Sequence, residues 1–130
     1  MRIVAAVLIC AALARAAFAD TAETERKNLE SYLRYAGPPI DEFRYWSFYD
    51  WKPVGADKVA VWTTINDAYL LTVGEPCDGL EWAKHIGVTS QARHVVGTRF
   101  DYVTFDRERC RIERIEPIDY RRMKADRVAE

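Results

Sequence analysis

Histidine is scarce in this sequence, with only His85 and His94 in 130 residues, and that scarcity narrows its chemistry. Proton transfer near neutral pH falls to histidine more readily than to any other side chain. The motifs that would compensate are missing: there is no G-x-S-x-G elbow, H-E-x-x-H, glycine-rich phosphate loop or calcium loop. Nothing in the chain calls for a cofactor. Cysteine is also sparse, at three, and without a C-x-x-C the dithiol redox motif and the close-pair zinc ligands both drop out. The longest apolar run, Ile3 to Ala14, is 12 residues, short of the about 20 that a membrane-crossing helix needs.

That run follows Met1-Arg2 and precedes Ala17-Phe18-Ala19, which places small residues where a signal peptidase reads them. The order of charged, apolar and small-residue regions predicts a signal peptide over residues 1–19, cleaved after Ala19. The alternatives are an uncleaved anchor, which Arg15 argues against, and a lipidated Cys10, which Val7-Leu8-Ile9 fit poorly. The remaining residues, 20–130, suit a single exported domain in the periplasm or beyond, with no transmembrane segment. Loss of Arg2 and Arg15 leaves 17 basic against 20 acidic residues, a net charge of −3. Nucleic acid is therefore a poor partner, because its binding rests on clustered positive charge. From Arg107 onward eight basic residues interleave with six acids, which reads as a solvated strand face ahead of an anion-binding patch.

Cys77 and Cys110 are the two cysteines of the exported part, so a single intramolecular pairing exists. An oxidising compartment favours a disulfide between them. Closing a loop of that size is worth roughly 3–4 kcal/mol in the chain-entropy model. A zinc site built from Cys77, His85, His94 and Cys110 has suitable ligand types, but the wide spacing tells against it.

Residues 23–36 read as a helix, with Leu29, Tyr32, Leu33 and Ala36 on one face and Gly37-Pro38-Pro39 as the stop. Residues 42–118 read as mainly β. Phe43 to Trp51 is rich in aromatics, and Lys58 to Ile65 with Ala68 to Val73 forms a hairpin about Asn66-Asp67. A short helix is expected over 78–86, capped by Asp78 with Glu81 and closed by Gly87. Phe100 to Phe105 and Arg109 to Ile115 form a second hairpin that Pro117 ends, and 120–130 reads as a polar tail or a frayed helix. The fold class is α+β: a small, curled antiparallel sheet with one or two packed helices and one disulfide.

Three groups of residues bear on function. The aromatics Trp46, Phe48, Tyr49 and Trp51 form a candidate surface for a ligand or partner, unless helix 23–36 covers them. His85 or His94 with an acid from Asp41, Glu42, Asp50 or Asp101 would make a small envelope hydrolase, against the simpler reading of two surface histidines. The same acids beside the aromatics suggest a glycosidase pair only faintly, because acids are common throughout.

Tyr35-Ala36-Gly37, Trp62, Tyr69-Leu70-Leu71, Cys77, Ile86-Gly87-Val88-Thr89-Ser90, Phe100-Asp101-Tyr102-Val103 and Cys110-Arg111-Ile112 follow one pattern, continued by Ile115-Glu116-Pro117-Ile118-Asp119. The pattern, over roughly Tyr32 to Lys124, resembles domain-of-unknown-function family 6491, small exported proteobacterial proteins. The resemblance implies export and paired cysteines, and brings no activity or catalytic residues. The expectation is a non-enzymatic envelope domain that binds an envelope protein or a small ligand, or serves a structural role; the hydrolase is the alternative.

Overall fold

A computed structural model describes residues 22–129; the signal peptide expected over residues 1–19 lies outside the described residues. Residues 22–34 are helical (α1). Four strands follow: β1 Glu42–Arg44, β2 Asp50–Pro53, β3 Lys58–Trp62 and β4 Ala68–Val73. After a 3-10 turn at Leu80–Trp82 come β5 Gly87–Val88, β6 Val95–Gly97, β7 Tyr102–Phe105, β8 Glu108–Ile118 and helix α2 Tyr120–Ala129.

Six strands form a curled antiparallel sheet in the order β2-β3-β4-β8-β7-β5, while β1 and β6 make a separate ribbon. The long strand β8 is the spine. It pairs with β4 along one edge and with β7 near its start. Farther along it takes Ala36 and Ile40 as bridging partners. Opposite Thr72 and Val73 the register jumps from Arg114 to Ile112, so Glu113 is an extra, bulged residue. A bulge bends its strand and sharpens the local twist, which suits the curl seen here.

The centre of the sheet, β3 and β4, is buried on both faces, and β3 shows why its sequence lacks clean alternation. Val59 and Val61 enter a core with Phe43, Leu71, Leu80, Val96, Val103, Phe105, Ile112 and Ile115. Ala60 and Trp62 point the other way, into a core where Tyr32 and Met123 from the two helices meet Leu70 and Ile118. The first core is roofed by the β1–β6 ribbon, with Phe43 stacked on Tyr69 at 4.3 Å between ring centres. Cys77 and Cys110 form the expected disulfide there, with Cα atoms 5.8 Å apart. Both sulfurs are consumed by that bond, which removes the four-ligand zinc reading.

Several local expectations need correction. The first helix ends at residue 34 rather than 36, because Ala36 already bridges Ile118 and Gly37 N–H donates to the Pro117 carbonyl. The helix expected over 78–86 shrinks to Leu80–Trp82. Gly79, at φ 91°, takes the cap position, and no side chain caps the turn. Neither Asp78 nor Glu81 plays the assigned part, and Gly87 lies in β5, drawn there by pairing with Thr104. The turn stops at Ala83, whose backbone is already extended at ψ 132°.

The first hairpin closes at Trp62 and Ala68, with a five-residue loop in place of a two-residue turn. Thr64 Oγ1 holds that loop by donating to Asp67 and accepting the Asp67 backbone N–H. Pro117 does not end its arm but sits inside β8. Its carbonyl faces Gly37, so its N–H-less nitrogen also points away from β4 and costs that ladder nothing. Of the two readings of the tail the helix holds, over residues 120–129; fully buried Met123 anchors it in a sequence whose polar surround hides it.

Candidate functional site

The aromatic stretch does not run as one strand. Backbone pairing holds Glu42 to Arg44 against Val95 to Gly97, and Tyr45 N–H donates to the His94 carbonyl. The chain then leaves the ribbon and re-enters the sheet only at Asp50. Within that excursion Tyr45 stacks on Phe48 at 4.8 Å, and both lean on the first core. Trp46 is thrown outward, 85% exposed, with its ring 4.5 Å from the imidazole of His94.

The opposite wall is a tight turn from Ala92 to Val95, with Arg93 and His94 at its tip. His94 holds φ 61°, a left-handed conformation that only surrounding structure makes tolerable for a residue with a side chain. Asp101 supplies much of that structure. It is 2% exposed, and its two oxygens accept from Thr89 Oγ1, Gln91 N–H and Gly97 N–H. The hydroxyl of Ser90 lies between the carbonyl oxygens of Ala92 and Val95 and takes up further slack.

Between these walls runs a groove of about 400 Å³ lined by Arg44, Tyr45, Trp46, Arg93, His94 and Val95. Among the described residues neither Arg44 nor Arg93 makes an ion pair. Glu42 shares the exposed face of β1 with Arg44 and is not bonded to it. Among the described residues no carboxylate lines the groove. The side chains present are donors and flat rings, suited to gripping an acceptor-rich ligand and lacking the acid that hydrolysis by His94 would require.

The four predicted surface aromatics are divided. Trp46 lines the groove; Phe48 and Trp51 are half-buried against the first core. Tyr49, 63% exposed, lines a separate hollow with Asp50, Trp62, Ile65, Tyr120 and Lys124. Helix α1 packs on the face of the sheet opposite Phe48 and Trp51, and among the described residues it lines neither the groove nor the hollow. His85 is exposed beyond the 3-10 turn. Among the described residues no hydrogen bond or ion pair joins either histidine to Asp41, Glu42, Asp50 or Asp101. Asp50 is turned to the N–H of Trp51 instead. Arg44, Tyr45 and Arg93 were invisible to the sequence reading as a site, because only the β1–β6 register brings those two stretches together.

A second charged feature lies on the β7–β8 hairpin. Arg109 sits 4.3 Å over the Tyr102 ring, and Arg111 donates to its hydroxyl at 3.1 Å. That hydrogen bond, with the charge behind it, lowers the Tyr102 phenol below its ordinary value.

The sequence pattern and this geometry meet a family assignment at this point. The chain belongs to DUF6491. That family is described as a family of unknown function, and its model matches residues 1–130. No curated protein and no solved structure matched the chain. Membership in DUF6491 fixes kinship and leaves activity to be argued from the groove.

Proposed function

We propose that this is an exported binding domain of the cell envelope, without catalytic activity, and that the groove between Trp46 and His94 is its ligand site. The observation that carries the reading is the indole of Trp46. A large apolar side chain left 85% exposed forfeits most of the roughly 1.5–3 kcal/mol that burying it would contribute. It stands over a concavity whose Arg93–His94 wall is braced by the part-buried hydrogen bonds of Asp101 and Ser90. Sites with this form, a preshaped hollow with a few polar groups and ring faces, are where small ligands bind. Export is supported by the N-terminal pattern of residues 1–19 and by the disulfide. No helix among the described residues is long and apolar enough to cross a membrane.

The test is a fragment screen by NMR on the isotopically labelled protein. Hits are expected to collect on the Trp46 and His94 signals while those of Trp82, also exposed, stay in place. Hits spread equally over Trp46 and Trp82 would reduce Trp46 to an ordinary exposed ring and end the proposal.

A further inference from the structure

We infer that the groove takes a small ring-shaped anion, a carboxylate or phosphate carried on a sugar or aromatic ring; this rests on the groove being the ligand site. The lining decides the charge. Guanidinium and indole groups only donate hydrogen bonds. Among the described residues the groove holds two guanidinium groups and one indole, with no carboxylate to answer them. Arg44 and Arg93 are left without ion pairs among the described residues, although six acid–base pairs are made elsewhere in them. Planar guanidinium forks match an oxyanion in bidentate geometry.

The ring is decided by Trp46 and His94. Their planes meet at 46°, so the two rings do not stack face to face and leave the indole face open to solvent. A flat sugar face or an aromatic ring can lie against it. The size is decided by the hollow, about 400 Å³, near the lower end of the 300–1,000 Å³ range of small-molecule sites. One or two rings fit, and a polymer does not fit within it.

The experiment follows the four indole N–H signals of the full chain, with Trp46 assigned by Trp46→Phe, during titration with four probes. Sodium glucuronate and glucose 6-phosphate carry the anion on a sugar, 4-hydroxybenzoate carries it on an aromatic ring, and glucose is the neutral control. At least one anion is expected to move the Trp46 signal and to bind about tenfold or more tightly than glucose, with affinity falling as salt rises. Arg93→Gln or Arg44→Gln should weaken that anion about tenfold and leave the glucose response as it was. Which anions respond separates the sugar source from the aromatic one. Equal binding of glucose and the anions at Trp46 overturns the inference while the groove reading survives. Anion binding left unchanged by both Trp46→Ala and Arg93→Gln places the ligand elsewhere and overturns both. No movement of Trp46 with any probe at millimolar concentration also overturns the inference.

Discussion

Asp101 and Gly79 show how much one residue can carry. The carboxylate of Asp101 accepts three hydrogen bonds inside a nearly solvent-free pocket. Asn in its place would present an NH₂ group to one of those donors. Asp101→Asn is expected to lower stability by about 1–3 kcal/mol, read from the urea midpoint, and to broaden the His94 signals as the Ala92–Val95 turn loosens. At the 3-10 turn the burden falls on backbone. Gly79→Ala should cost about 1–2 kcal/mol because φ 91° disfavours any side chain. Asp78→Ala should leave the urea midpoint unchanged, since Asp78 caps nothing; a drop of the usual capping size of about 1 kcal/mol would restore the capped helix. Burial raises the phenols of Tyr32 and Tyr69 above their ordinary 10.0. Protonated in the fold and easier to ionise once unfolded, they contribute stability that is intact below pH 10.0 and is lost as pH climbs through the raised folded values. The urea midpoint should therefore hold below that point and fall above it, less steeply in Tyr32→Phe.

At the scale of elements, the sequence was legible where a strand faces one environment and opaque where partners compete. The β3–β4 and β7–β8 pairings could be read from β-branched and aromatic runs between turns. The segment after Cys77 could not, because its capping pattern is outweighed by a disulfide and an edge strand a few residues apart. Helix α2 was obscured for the opposite reason: its polar residues dominate, and its docking rests largely on Met123 and Tyr120. Met123→Ala should cost about 2–5 kcal/mol, measured by thermal unfolding, which no bare tail residue would do. Cys110→Ser should lower stability by roughly 3–4 kcal/mol for a loop with a sequence separation of 33. A melting temperature equal to the parent's under oxidising conditions would mean that the bond contributes nothing.

For the whole molecule, fold class and cysteine pairing were accessible from the chain alone, whereas of the residues lining the groove only Trp46 and His94 stood out there. Trp46 stood out as an aromatic beyond what one strand face can bury. Its companions Arg44 and Arg93 are ordinary charged residues until β1 meets β6. Residue types declare a core through periodicity, whereas a binding groove is declared by register, which no local pattern prints.

The placement of β8 has a consequence in time. As the chain emerges from a ribosome, the first hundred residues hold β4, β3 and both arms of the ribbon, yet the strand they must gather round has not arrived. Cys77 likewise waits for Cys110, and both helices wait for the sheet face that Ile118 completes. Non-local pairing of this kind makes for slow closure. The earlier strands therefore cannot complete the sheet until residues 108–118 have appeared.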